Sequence, residues 1–288
     1  MTRSSDLAQA PARSNALIIN AAITGCVLYK KDTRHLPVTL DEMVQCARQV
    51  VDAGAAIVHV HARNADESPS FDARVYEQLV QRVREACGDV IVCVSLSGRH
   101  ESRIEKRIAG LAAQPDMASL TLGSMNFISG PSVNSPDTIR ELAERIQAAD
   151  AVPELEVFEA GFIHFAQYLI KKQVLRPPHY FNLILGSLGS APLDLLGLGH
   201  MVSLLPAGAI WSVGGLGRYQ LDANVMSMAA GGHVRVGLED NIYFDRAQTQ
   251  LTDNVQLVER IVRIGREMGR EPATPAEARV MMGLPPRK

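Results

Sequence analysis

His59-Val60-His61 lies inside an apolar run, residues 55–62. On a strand, residues i and i+2 face the same way, so both imidazoles project together. That arrangement suits two ligands of one metal. Zinc fits two histidines plus a carboxylate, with a position left open for substrate. The pair could instead be hydrogen-bonded inside a barrel; Arg63 beside it, at the end of the run, favours the metal. A second cluster is Arg235-Val236-Gly237-Leu238-Glu239-Asp240-Asn241. There Glu239 can supply the third ligand, and Asp240 can turn into the pocket mouth. Arg235 on the same strand can hold one carboxylate ionised and oriented. Taken alone, adjacent acids at a strand end are equally compatible with solvated side chains.

Other candidates are scattered. Ser95 opens the stretch SLSG, Ser119 lies one strand further on, and Glu156 stands within PELEVFE. No Ser-His-Asp order or nucleophile elbow is present, so the serines read as hydrogen-bond donors. Glycine-rich stretches occur at 123–124, 186–189 and 214–218. A loop after the seventh strand of a barrel can cradle phosphate with its N–H groups, and Arg218 would add a cation. A tight turn explains the same glycines. His35, His100, His164, His179, His200 and His233 have no ligand spacing and read as surface or core residues.

The elements that position these groups follow from periodicity. Strands are expected over 16–23, 55–62, 89–95, 116–122, 154–159, 180–185, 209–213 and 233–238. Helices are expected over 39–52, 72–87, 102–113, 135–149, 162–172, 194–204, 222–230 and 252–268. Thr39 with Glu42 makes a capping-box pattern, and Ser135-Pro136 is a helix start. Eight strand–helix units of about 30 residues point to an α/β fold, a (β/α)8 TIM barrel. A doubly wound sheet is the alternative, but no G-x-G-x-x-G follows the first strand. TPAEAR, 274–279, predicts a short C-terminal helical extension. The expected organisation is a flexible N-terminal arm, 1–15, and one catalytic domain, 16–288.

Composition narrows the function. The 288 residues are 47% hydrophobic and 21% charged, enough for a core and against disorder. With 29 basic and 31 acidic residues the net charge is −2, no footprint for nucleic acid. The four cysteines form no CxxC pair and read as reduced thiols, three of them core. No apolar run reaches the roughly 18 residues of a spanning helix, and the N-terminus lacks a secretory apolar core. A cytoplasmic protein with no membrane partner is expected.

Several motifs in order resemble one family: NAAITG (20–25), LPVT (36–39), AGAAIVHVHAR (53–63), PDMASLTLGSMNF (115–127), PELEVFEAG (153–161), GGHVRVGLEDN (231–241) and ATPAEAR (273–279). Together they are similar to the beta-keto acid cleavage enzymes, such as 3-keto-5-aminohexanoate cleavage enzyme. The resemblance implies a zinc-dependent barrel, usually oligomeric and here expected as a homotetramer. It implies condensation of a β-keto acid with acetyl-CoA, giving acetoacetate and a new acyl-CoA. His59, His61 and Glu239 match the zinc ligands. Asp240 matches the base, Arg235 its partner, and Glu156 a further polar residue of the site. Ser95, Gly98 and Ser119 match substrate contacts; Asn126 and Arg218 are expected on the CoA path. Two positions depart from the family. Members with an amino substrate carry Glu where this chain has Val27, and their STGG loop is Ser95-Leu96-Ser97-Gly98 here. An apolar residue cannot pair an ammonium. A neutral or apolar tail is therefore expected. The alternatives are a zinc-dependent barrel lyase or hydrolase acting without CoA, and a metabolite-binding barrel without turnover.

Overall fold

The β-branched and apolar runs do become strands, and each is followed by chain that returns to the start of the next. The computed structural model describes residues 15–128 and 130–285. The strands are β1 (Ile19–Ala22), β2 (Ile57–Val60), β3 (Ile91–Val94), β4 (Met117–Thr121), β5 (Val152–Val157), β6 (Tyr180–Leu185), β7 (Ile210–Gly215) and β8 (His233–Val236). They pair in parallel in chain order and close into a barrel, with β8 against β1. Asn20 lies opposite Arg235, and Ala22 opposite His59. This closure sets the ends of β8, β1 and β2 side by side.

The helices are α1 (Leu40–Asp52), α2 (Ala73–Cys87), α3 (Ile104–Arg107), α4 (Pro136–Ala148), α5 (Ala160–Lys171), α6 (Leu195–Ser203), α7 (Gln220–Ala229), α8 (Asn254–Glu267) and α9 (Pro275–Met281). Thr39 and Glu42 form the expected capping box, and Thr274 with Glu277 forms a second at α9. Such a cap stabilises a helix by about 1 kcal/mol. Ser135 caps α4 with Pro136 in the first turn.

Two local expectations are corrected. The stretch 102–113 is not one helix: α3 is a single turn, continued as a 3-10 helix over Ile108–Ala113. Gly110 there packs against Val94 and Tyr76, so tertiary contact overrides helical spacing. After β4 a hairpin, Met125–Phe127 with Gly130–Ser132, was not anticipated, because three-residue strands carry no periodicity.

Two cores result. Between strands and helices lies an apolar layer that includes Val58, Val60, Val92, Leu120, Leu183 and Val234. Each such side chain contributes roughly 1.5–3 kcal/mol. Inside the barrel floor, Ile57, Ile91, Met117 and Tyr180 meet Met282 and Leu284 after α9. The C-terminal extension therefore plugs the base. Above that plug the barrel interior turns polar, with buried Asn20, His59, Glu154, Asn182 and Arg235. All four cysteines are free; Cys26 and Cys93 are buried, whereas Cys87, expected in the core, is half-buried like Cys46. No helix among the described residues is long and apolar enough to cross a membrane. Residues 1–14 of the expected arm lie outside the described residues, while Asn15 Nδ2 donates to Gly269 O at 2.6 Å.

Candidate metal and acid–base site

His59 and His61 leave the C-terminal end of β2 on one face, as i, i+2 spacing requires. Their Nε2 atoms stand 3.3 Å apart. Glu239 completes the group: Oε1 is 3.2 Å from His61 Nε2, and Oε2 is 3.8 Å from His59 Nε2. The three ligand atoms fall within 4.8 Å of one another. Glu239 Oε2 is buried and has no hydrogen-bond partner. Two converging imidazole nitrogens beside an orphaned carboxylate oxygen are what a divalent cation satisfies, and the His2Glu donor set suits zinc.

Glu154, from β5, holds this centre from below. Its Oε2 lies 2.7 Å from His59 Nδ1. Its carboxylate also accepts from Asn20 Nδ2 at 2.6 Å, Asn182 Nδ2 at 3.1 Å and the Cys93 thiol at 3.3 Å. Burial opposes its charge, but His59 and Arg235 outweigh burial and hold it at about 2. An ionised carboxylate only accepts, so His59 Nδ1 carries the proton and Nε2 keeps its lone pair for the metal. Residue types alone did not single out Glu154. Glu154 and Glu156 of PELEVFE face inward at i, i+2, and only the barrel register decides which meets His59.

The turn after β8 delivers the other acids. Arg235 is 1% exposed, and its Nε and Nη2 donate to Asp240 at 2.9 and 3.2 Å. Nη2 also lies 2.8 Å from Glu239 Oε1. One guanidinium thus orients both neighbours. Gly237 makes the turn possible with φ +152°; a Cβ there would strike the Ala22 carbonyl oxygen. Gln220 Nε2 donates to Gly237 O at 2.8 Å, and Gly217 N donates to Asp240 O at 2.7 Å. Burial pushes Asp240 up from its ordinary value; Arg235 pulls against it and Glu239 adds to it. A raised but ion-paired carboxyl has the character of a general base.

His61, Glu239, Arg235 and Asp240 line one cavity of about 120 Å³ with Ser95 and Glu156. Ser95 Oγ accepts from Ser97 N at 3.2 Å, leaving its proton free to donate. Glu156 accepts from Thr121 Oγ1 at 2.6 Å, and burial, then the charge of Glu154, pushes it up. Ser119 is placed differently: its Oγ accepts from Leu96 N at 3.1 Å and braces the loop after β3. Gly98 sits on that loop over the buried Arg107 guanidinium, whose Nε donates to Leu96 O at 2.8 Å. A cleft of about 850 Å³ adjoins the cavity through Arg99, Phe127 and Leu216. Val27 and Arg218 line this outer cleft together with Gly186 and Gly217 of the glycine-rich loops. Asn126 is on the hairpin, its carbonyl packed against Gly189. Arg99 was not anticipated; neither was Cys26, which with His100 lines a narrow recess beside His61.

The fold and site define a class: a (β/α)8 barrel with a candidate His-His-Glu metal centre and an Arg–Asp pair at the C-terminal mouth of its strands. The comparisons make it particular. Residues 16–284 match the model of the beta-keto acid cleavage enzymes. The chain belongs to that family. It is 36% identical over 270 residues to 3-keto-5-aminohexanoate cleavage enzyme of Fusobacterium nucleatum, covering 93% of this chain and 98% of that one. It is 35% identical over 271 residues to 3-oxoadipate:acetyl-CoA acetyltransferase of Cupriavidus necator, covering 93% and 95%. Among solved structures, ObcA in a ternary complex with a C4-CoA adduct and oxalate superposes with a TM-score of 0.73 at 20% identity, over 87% of this chain and 68% of that one. That likeness bears on the fold alone.

Proposed function

We propose that this enzyme condenses a β-keto acid with acetyl-CoA, releasing acetoacetate and a new acyl-CoA, with Zn2+ held by His59, His61 and Glu239. The observation that carries the reading is the His59-His61-Glu239 cluster, two of whose members, His61 and Glu239, open on the same small cavity as the Arg235–Asp240 pair. Bound zinc would supply Lewis acidity, polarising the keto and carboxylate oxygens of the substrate.

The chain's own residues do the rest. Asp240, oriented by Arg235, takes a proton from the carbon between the keto and carboxylate groups. The carbanion attacks the thioester carbon of acetyl-CoA and expels CoA thiolate. Ser95 donates to the oxyanion that develops there. Thiolate then attacks the original keto carbon, and the bond from that carbon to the central carbon breaks. One fragment leaves as acyl-CoA. Asp240 returns its proton to the other, which is acetoacetate. Glu156 lines the same cavity as a second acid, with Thr121 fixing its orientation. Arg218 and the glycine-rich loops 186–189 and 214–218 lie on the outer cleft, where the CoA arm would run, and Asn126 is on the hairpin packed against Gly189 of that wall. Gly98 and Ser119 shape the loop that presents Ser95. Val27 on the cleft wall offers nothing to an ammonium tail.

The same reading makes the chain a single catalytic unit acting in the cytoplasm as a homotetramer. Light scattering at four chain masses supports that assembly, and a monomer mass removes it. The enzymatic test is acetoacetate formation by zinc-loaded protein, from a panel of β-keto acids, with and without acetyl-CoA. Product only with acetyl-CoA supports the proposal. Equal product without it favours the CoA-independent lyase or hydrolase.

A further inference from the structure

We propose that Arg99 reads the tail of the β-keto acid, and that the preferred tail ends in a carboxylate. The inference rests on the β-keto acid reading above and names its substrate class. Arg99 follows Ser95 by four residues on the loop after β3. It lines both the inner cavity and the outer cleft, where the two meet. Its guanidinium lies over the Phe127 ring, 3.6 Å from the centroid. Phe127 is itself set edge-on to Phe158, at 5.5 Å and 90°. The cation therefore rests on a fixed aromatic shelf rather than swinging in solvent.

Its electrostatic position is incomplete. Nε is buried with no hydrogen-bond partner. Among the described residues it makes no ion pair; Glu239 and Glu156 favour its charge only from across the cavity. The acids on the far wall are engaged elsewhere: Glu239 by His61 and Arg235, and Glu156 by Thr121. A partly desolvated cation with no carboxylate in direct contact is unfavourable, and a carboxylate with two oxygens for the guanidinium fork relieves it. A neutral tail leaves Arg99 as it is. An ammonium tail would be repelled by Arg99 and unpaired at Val27. The wall at Val27 disfavours a cationic tail without choosing between neutral and anionic ones, so the neutral or apolar tail expected from Val27 is revised here by Arg99 to an anionic one. Arg218, on the cleft and hydrogen-bonded to Tyr219 Oη at 3.0 Å, remains for a CoA phosphate.

The test uses zinc-loaded wild type, Arg99→Gln and Arg99→Lys, with folding checked by circular dichroism and melting. β-Keto acids matched in length carry a carboxylate, a carboxamide or an ammonium at the tail. Calorimetry gives the Kd of each without acetyl-CoA, and kinetics give KM for each co-substrate. Wild type should favour the carboxylate tail over the carboxamide by about 10- to 100-fold. Arg99→Gln should erase that margin through the Kd of the carboxylate substrate, and Arg99→Lys should restore part of it. The KM for acetyl-CoA should not move. Equal or better binding of the carboxamide by wild type overturns the inference. So does an Arg99→Gln defect confined to the KM for acetyl-CoA. Acetoacetate from no tail at all overturns the parent reading as well, and is distinguished by being independent of Arg99.

Discussion

At Asp240 two demands meet: a base must hold a pKa high enough to take a carbon-bound proton, yet stay oriented. Burial works towards the first by raising the carboxyl above its ordinary value, and the two hydrogen bonds from Arg235 supply the second. Asp240→Asn keeps the shape and the metal ligands but removes the base. Turnover should fall by about 10²- to 10⁴-fold with zinc content unchanged. Normal turnover, or lost zinc, would remove the assignment. Glu154 acts through His59 instead. Glu154→Gln loses the charge that fixes the imidazole tautomer, so metal affinity should weaken by about 10- to 100-fold. Competition with a chromophoric chelator measures it, and an unchanged affinity contradicts the role. At this scale the sequence was partly legible. HxH projects two ligands by strand geometry alone, and LEDN supplies adjacent acids. Glu154 and Arg99 were not legible. One depends on the barrel register, the other on a loop laid over a hairpin that periodicity does not reveal.

The end of β8 decides whether the acids arrive together. Gly237 takes a backbone conformation that side chains rarely adopt, at a place where β1 leaves no room for a Cβ. Leu238 N bonds Asn254 Oδ1 at 2.8 Å and Glu239 N bonds Ala22 O at 3.2 Å, tying the turn to α8 and β1. Gly237→Ala should therefore cost at least about 2 kcal/mol and displace Glu239 and Asp240 together. Thermal melting and zinc content read both effects, and a variant with wild-type values for each would show the turn to be tolerant. Strands and long helices were legible here because their burial faces repeat along the chain. The break of 102–113 into a turn of α3 and a 3-10 helix was not, since Gly110 answers to Val94 and Tyr76 on other elements.

The whole barrel is held by a polar interior above an apolar floor, and its stability carries a pH signature away from the site. His233 opens β8 and accepts from Ile18 N through Nδ1 at 3.1 Å. Burial, then the charge of Arg270, lowers its pKa to about 4. An unfolded imidazole titrates near 6.5, so between these values the unfolded chain binds the extra proton. The stability is complete above about pH 6.5 and is lost as pH falls towards 4, on the order of 3 kcal/mol in all. Denaturant midpoints for His233→Gln should fall less over that range than those of wild type, and parallel slopes would remove the explanation. The barrel as a whole was the most legible level, because eight repeated units leave few other closures. That α9 plugs its base was not, because TPAEAR predicts a helix but no docking place. The central claim is the transfer of the acetyl group, and the fate of a carbon label tests it most directly. Zinc-loaded enzyme is given acetyl-CoA labelled with 13C in both acetyl carbons and the best β-keto acid of the panel. The account predicts all label in the acetyl half of acetoacetate and none in the new acyl-CoA. Unlabelled acetoacetate, or label retained on CoA while acetoacetate accumulates, would contradict it.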